Sequence, residues 1–92
     1  MYKISNHTRR QARRYNVTVK RSKRTGRKID VFRKGKMIAS GLGAIGYTDY
    51  GTLLSKGMKE EANQRRRAYR ARHAKALKKR GSRGWYSYHL LW

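Results

Sequence analysis

The chain contains no cysteine and no proline, and only four of its 92 residues are acidic. Without cysteine it can form neither a disulfide nor a thiolate metal site. Without proline, nothing in the sequence forces a kinked helix or a rigid turn. No apolar run approaches the roughly 18 residues of a membrane-spanning helix. Because the N-terminal residues lack the apolar centre of a signal peptide, we expect a protein that is not secreted by that route.

The scarcity of acidic residues leaves 26 lysines and arginines unbalanced, so the formal net charge is +22 at pH 7. A compact protein with this charge repels itself in dilute salt. Nucleic acid is the strongest candidate for a neutralising partner, because each Lys or Arg that meets a phosphate releases condensed counterions. We expect contacts to the backbone that tolerate any base sequence, since the chain contains no recognisable base-reading module.

The length suits a single small domain, which we place at residues 15–92, and the pattern predicts an α+β fold. Polar and apolar residues alternate at its start, and short Gly-containing loops follow at residues 24–27 and 34–35. This arrangement is typical of antiparallel hairpins, so we predict a small three-stranded meander over about residues 15–40. Five of the nine glycines lie within residues 41–57, which predicts a Gly-rich loop.

One long basic helix is predicted over about residues 58–80, because this segment lacks Gly and Pro and is rich in good helix formers. Glu60 and Glu61 in its first turn and basic residues in its last turn complement the helix dipole, and Gly81 provides a stop. Residues 84–92 carry four of the ten aromatic side chains. We expect this aromatic C-terminal tail to fold back over the sheet or the helix, or to anchor in a neighbouring subunit.

Arginine clusters define the candidate nucleic-acid-binding surface, one in a basic N-terminal arm at residues 1–14 and one in the predicted helix. If the arm is helical, its arginines pair at a spacing of four residues on one side. Like charges at that spacing destabilise a free helix, so we expect the arm to order only against an anion. The candidate contact residues are Arg9, Arg10, Arg13, Arg14, Arg65, Arg66, Arg67, Arg70 and Arg72.

A second set of residues is expected to hold the fold together. Asp49 lies between two tyrosines in a strongly basic chain, which makes it an attractive partner for Arg72 or His73. A partly buried, charge-assisted hydrogen bond of this kind would fix the loop on the helix. The residues of this predicted structural lock are Asp49, Tyr69, His73, Trp85 and Trp92.

The sequence offers little that resembles catalytic or cofactor chemistry. Residues 41–46 read G-x-G-x-x-G, but the following residues do not predict the helix and the second parallel strand that a dinucleotide site requires. His7, His73 and His89 are widely spaced and lack Cys or carboxylate neighbours, so we predict no metal site. No nucleophile, base and orienting group occur together. We therefore predict a protein without a cofactor and without enzymatic activity.

Three motifs in residues 41–92 together resemble a known family. They are Gly46-Tyr47-x-Asp49-Tyr50, Tyr69-x-x-Arg72-His73 and Gly84-Trp85-x-Ser87-x-x-Leu90-Leu91-Trp92. The chain resembles in them a family of short basic proteins of unassigned function from large DNA viruses of algae and protists. The family's closing pattern is usually nearer Gly-Phe-Trp-Ser. The resemblance implies a viral origin and is compatible with a place in the particle, but it implies no known activity.

Charge, aromatic content and resemblance together predict a small basic structural component of a virus particle, a minor capsid or core protein located in the virion. Its arginines would contact packaged nucleic acid or acidic capsid surfaces. A ribosomal protein that binds the rRNA backbone is the first alternative, because it would share the small size, the basic composition and the lack of cysteine. A protein-binding adaptor, whose charge serves only solubility, is the second alternative.

Overall fold

The predicted three-stranded antiparallel sheet is present, but it begins at Thr18 and ends at Ala44, where the pattern indicated about residues 15–40. In the computed structural model, which describes residues 2–92, the strands are β1 (Thr18–Arg21), β2 (Arg27–Arg33) and β3 (Lys36–Ala44), in the order β1-β2-β3. Val19 pairs with Val31, and a register shift in the second hairpin accommodates the longer β3. The α+β class and the meander are therefore confirmed.

The helices of the described residues are α1 (Asn6–Arg14), α2 (Tyr50–Ser55), α3 (Lys59–Arg72), α4 (Ala74–Leu77) and α5 (Arg83–Leu91).

The long basic helix predicted over residues 58–80 is present in part, because it divides at His73 into α3 and the short α4, which ends at Leu77 before the predicted stop at Gly81. The division allows α4 to pack closely on α5. At that contact a Cβ added to Gly84 would lie only 2.5 Å from the Cβ of Ala76. Gly84 therefore permits an approach between the two helices that a larger residue would obstruct.

The predicted boundary between an arm at residues 1–14 and a domain at residues 15–92 does not describe this structure. Residues 6–14 form α1, and the hydroxyl of Ser5 caps it by accepting a hydrogen bond from the amide of Thr8 at 3.2 Å. Thr8 and Ala12 are buried. These small side chains let α1 pack against α5 and α2 while its arginines remain at the surface. The arm is thus ordered by packing within the chain.

The predicted Gly-rich loop is shorter than residues 41–57. Gly41 and Gly43 lie in β3 with φ values of +64° and +74°, a region that favours glycine. After a short connection Asp49 caps α2 by accepting a hydrogen bond from the amide of Thr52 at 2.9 Å. No helix begins within the G-x-G-x-x-G segment, so the geometry of a dinucleotide site is not formed there.

The aromatic tail folds back as α5 and completes the core. Leu90 and Leu91 are 0% and 1% exposed, and they pack in one cluster with residues of the sheet that include Ile29, Val31 and Leu42. Because the chain is poor in apolar residues, these C-terminal side chains supply a large part of its buried surface. The intramolecular alternative for the tail is therefore the one that the structure adopts.

Candidate nucleic-acid interface

In the folded chain nearly all basic side chains lie outside the core, whereas half of the acidic side chains are buried. Of the 26 lysines and arginines, all of which lie within the described residues 2–92, only Lys28 is buried. Two of the four acidic residues, Asp30 and Asp49, are buried as well. Glu60 is exposed and Glu61 is partly exposed, so few carboxylates remain to balance the surface. The surface is therefore more one-sided in charge than the composition alone indicates.

Asp49 lies at the centre of a buried polar site. Its Oδ2 accepts hydrogen bonds from the hydroxyl of Tyr2 at 2.6 Å and from the Nζ of Lys28 at 3.0 Å, and its Oδ1 accepts one from the amide of Thr52. Burial acts to raise the pKa of Asp49, but the bond from Tyr2, the charge of Lys28 and the bonds from Thr52 together hold it below its usual value. Burial and the nearby carboxylate raise the pKa of Tyr2.

The predicted partner of Asp49 was wrong. The carboxylate binds Lys28 of the sheet and Tyr2 of the N-terminal segment, whereas Arg72 and His73 lie at the surface. The spacing from Asp49 to Thr52 is typical of a helix N-cap and could have been recognised. Nothing in the sequence distinguishes Lys28 from the other lysines, because its role depends on how the sheet meets the loop.

Asp30 forms a second buried acidic site, at the irregular part of the β2–β3 pairing. Its carboxylate accepts hydrogen bonds from the amide of Gly41 at 2.8 Å and from the hydroxyl of Ser22 at 2.7 Å. Burial acts to raise its pKa, but these bonds outweigh that effect and the pKa lies below the usual value. The acid therefore joins β2 to β3 and to the segment after β1, and the charge of the exposed Arg24 also acts to lower its pKa.

Aromatic rings hold α1, α5 and the segment after α4 together at one surface. The guanidinium of Arg14 lies 5.9 Å from the centre of the Tyr15 ring, and that of Arg80 lies 5.5 Å from the Trp85 ring. Tyr15 packs edge-on against Trp85, and its hydroxyl lies 3.1 Å from Nδ1 of His89. Arginines that are 66 positions apart in the sequence thus flank the same aromatic cluster.

Arginines of α3 also act on His89, a member of this cluster. Burial lowers the pKa of His89, and so do the charges of Arg66, Arg14, Arg70 and Arg80 around it. The charge of Arg10, which lies one turn before Arg14, lowers the pKa of His7. We call the exposed members of this group the arginine face. The arginine face consists of Arg10, Arg14, Arg70 and Arg80.

The other predicted contact residues are distributed differently. Arg66 is only partly exposed, and its guanidinium lies over the rings of Tyr50 at 5.0 Å and Tyr88 at 5.7 Å, so its main role is in packing. Arg13 and Arg67 are exposed. Arg9 lines a separate cavity between the N-terminal segment and β1. The structure therefore does not unite the predicted arginines in one patch.

A groove with a volume of about 650 Å³ lies between α3, α5 and the adjoining ends of β2 and β3. Its arginines come from three of these elements, and its exposed or partly exposed rings come from α3, the C-terminus and the loop before α2. The groove includes Arg27, Arg65, Arg72, Arg83, Tyr47, Tyr69, His73 and Trp92.

Part of the predicted structural lock lies in this groove. The ring of Tyr69 stacks on that of Trp92 at 4.9 Å, with an angle of 18° between the planes, and on that of His73 at 4.2 Å, with an angle of 29°. Trp85 belongs instead to the cluster beneath the arginine face, and Asp49 to the buried polar site. Sequence reasoning identified Arg65 and Arg72 but missed Arg27 and Arg83, which carry no local signal and reach the groove only through the tertiary fold.

The fold and these surfaces define a small α+β protein with a strongly basic exterior and a groove lined by arginines and aromatic rings. No protein-family model matches the chain, and comparison with curated proteins and with solved structures finds no significant match. Within residues 2–92, no helix has the length and apolarity needed to cross a bilayer. The same residues include no cluster of His, Cys, Asp or Glu suited to hold a metal ion.

Lowering the pH from about 7 to about 5.5 should destabilise the protein, with His7 as one cause. Its Nε2 is buried without a hydrogen-bond partner among the described residues. Burial, Arg66 and Arg10 lower its pKa, and these effects outweigh the opposing influence of Asp49 and the Trp92 backbone. Because the unfolded chain binds a proton near pH 6.5 and the folded chain binds it at lower pH, stability falls as the pH drops through this range.

Urea unfolding of the wild type and of His7→Gln at both pH values measures this effect. We expect a smaller loss in the variant, with His89 contributing the remainder because its pKa is also lowered. Between about pH 7 and pH 8 the imidazole contribution should be small in both proteins. An equal loss of unfolding free energy in wild type and variant between about pH 7 and 5.5 would contradict the assignment to His7.

Proposed function

We propose that this protein is a small basic structural component of a virus particle, a minor capsid or core protein, which contacts the nucleic-acid backbone through surface arginines. The observation that carries the proposal is the sorting of charge. All but one of the 26 lysines and arginines lie outside the core, whereas two of the four acids are buried. A surface of this kind favours a polyanionic partner over solvent alone.

The arginine face suits phosphate because of its residue type and its arrangement. A guanidinium is planar and can donate two hydrogen bonds to one phosphate group, and it remains charged at any physiological pH. The four arginines of the face come from α1, α3 and the segment after α4, and two of them, Arg14 and Arg80, lie against rings of the aromatic cluster. Such a surface can follow a phosphate backbone without reading bases.

The resemblance in three motifs supports the placement in a virus particle. In the fold those motifs adjoin one another, since Tyr47, Arg72 and Trp92, one from each motif, all line the groove. The third motif also contains Leu90 and Leu91 of the core. The motifs therefore describe one connected part of the structure, which includes both a surface and the residues that hold it in place.

The salt dependence of binding tests the contact with nucleic acid. We expect the full chain to bind random-sequence duplex DNA with an affinity that falls steeply between about 50 and 200 mM salt, with a log–log slope of about −0.9 for each phosphate contacted. Replacing the four residues of the arginine face by Gln should reduce the magnitude of this slope by about 3 to 4. Fluorescence anisotropy of a labelled duplex measures both quantities.

A matched variant removes the same charge from another part of the surface. It replaces the exposed lysines Lys23, Lys34, Lys36 and Lys56 by Gln. This variant loses as much charge as the arginine-face variant does, but its arginine face is intact. We therefore expect it to retain most of the salt dependence of duplex binding. Binding that does not depend on salt would contradict the proposal, and an equal effect of both variants would contradict the assignment to the arginine face.

Mass spectrometry of purified virus particles and of ribosomes from the source tests the location. We expect the protein in the particles, at an abundance that follows the other particle components through purification. Enrichment with ribosomes would instead support the rRNA-binding alternative. If the protein is found in particles but does not bind nucleic acid, acidic capsid surfaces become the partner of its arginines.

A further inference from the structure

We infer that the groove binds an unpaired nucleobase of single-stranded nucleic acid, with the flanking phosphates on its arginines. This inference rests on the proposed contact with nucleic acid and adds to it a site, a strand form and a contact with bases. It requires three properties of the groove, which are a positive charge, accessible ring faces and a suitable size.

The charge of the groove is positive on both of its walls. No acidic side chain is among the described residues that line it. Arg27 at the start of β2 and Arg72 near the end of α3 are exposed on the two sides. Arg65 forms an ion pair with Glu61 at 2.9 Å. Arg83 donates hydrogen bonds to carbonyl groups of β3, including that of Gly41. Arg27 and Arg72 are therefore the better placed phosphate ligands.

Aromatic rings line the same groove, and Tyr47 is the most open of its tyrosine and tryptophan side chains. Tyr69 is held by a hydrogen bond from its hydroxyl to Ser87 at 3.2 Å, and its ring is already stacked on those of Trp92 and His73, so it anchors those two rings of the groove. His73 is exposed. Tyr47 is 75% exposed, an unusual position for a tyrosine that supports no core. Planar rings beside arginines are the combination that single-strand-binding proteins use, because every base offers a face for stacking.

The groove is large enough for an unpaired base together with its sugar and the flanking phosphates. Its volume of about 650 Å³ lies within the range of about 300–1,000 Å³ that is typical of small-ligand sites. In a duplex the base faces are covered by their neighbours, so the rings of the groove could not reach them. A single strand can turn one base into the groove while its phosphates stay at the rim.

Tyr47 provides a test that does not depend on the core. We compare binding of a thymidine strand of about 12 nucleotides, an abasic strand of equal length and a duplex, because single-strand sites span about 4–16 nucleotides. For Tyr47→Ala we expect about tenfold weaker binding of the thymidine strand, in keeping with the loss of one stacking contact. Tyr47→Phe, which keeps the ring, should bind that strand as the wild type does. Affinity for the abasic strand and the duplex should be unchanged in both variants.

Trp92 offers an independent measurement in the full chain. In the Trp85→Phe background Trp92 is the remaining tryptophan, and it lines the groove. We expect the thymidine strand to quench its fluorescence and the abasic strand to leave it unchanged. Circular dichroism of each variant confirms that the fold is retained.

The outcomes separate this inference from the proposed function. Equal affinity of the wild type for thymidine and abasic strands, or unchanged thymidine binding by Tyr47→Ala, would overturn the base site. Steep salt dependence on duplex DNA would in that case leave the proposed function intact. Failure of the wild type to bind any of the three probes would overturn both the base site and the proposed contact with nucleic acid.

Discussion

Replacing Asp49 by Asn is expected to lower the free energy of unfolding by about 3–5 kcal/mol, the usual cost of removing one partner of a buried ion pair. Asn keeps the shape of the side chain and an oxygen for the amide of Thr52, so the helix cap is largely preserved. What is lost is the charge that compensates Lys28, whose side chain is only 4% exposed. Urea denaturation at neutral pH measures the change.

Two further variants show whether the uncompensated lysine is the cause. Adding Lys28→Met to Asp49→Asn removes the buried charge and should recover part of the lost stability. Glu61→Gln breaks the more exposed pair with Arg65 and should cost no more than about 1 kcal/mol. If Asp49→Asn were no more damaging than Glu61→Gln, the buried pair would not have the structural role assigned to it.

The same site determines behaviour in acid. Because the folded pKa of Asp49 lies below its unfolded value of about 3.9, its contribution to stability is present above that pH. The contribution is lost as the pH falls through the folded pKa. Asp49→Asn should therefore reduce the dependence of stability on pH in this acidic range, while the dependence that arises from Asp30 remains.

Leu90→Ala is expected to lower the free energy of unfolding by about 2–5 kcal/mol, because it removes fully buried methyl groups and leaves a cavity. A small domain has a total stability of about 5–15 kcal/mol, so this loss is a large fraction of it. The loss should also weaken the proposed DNA binding, since α5 carries His89 beneath the arginine face and Ser87 in the groove, and Trp92 follows it directly. Thermal unfolding and duplex-DNA binding measure the two effects.

Met37→Ala is the matched control, because Met37 is 46% exposed and its truncation should change stability by no more than about 0.5 kcal/mol. A small effect of Leu90→Ala would show that α5 is only loosely attached to the sheet. In that case α5 would not be the element that holds the arginine face and the groove in place.

The hairpins and the basic helix could be predicted because their signals are local. Alternation in the strands and the run of helix formers in residues 58–80 depend on neighbours in the sequence. The helix α1 was missed because its packing stripe consists of the small residues Thr8 and Ala12, which stand out less than the arginines around them. Ser82, which caps α5, is a residue type that favours a helix start, so the helix could have been predicted from it. The aromatic residues that follow indicate burial but do not by themselves indicate a helix.

The candidate site was predicted only in part, and the reason differs among its residues. The charge made arginine the candidate residue type for binding, but Arg66 packs against the rings of Tyr50 and Tyr88 and is only partly exposed. Arg27 and Arg83 were missed because a groove between distant elements leaves no pattern in the sequence.

The sequence by itself determined the excess of positive charge, the absence of cysteine chemistry, the α+β class and the need for C-terminal aromatic residues in a small core. Those properties follow from composition and from periodicity over a few residues. Only the tertiary structure decided that Asp49 pairs with Lys28, which arginines share a surface, and that Tyr47, Tyr69 and Trp92 line one groove. These depend on how α1, α3 and α5 pack around the sheet, where the burial of a few side chains outweighs any local preference.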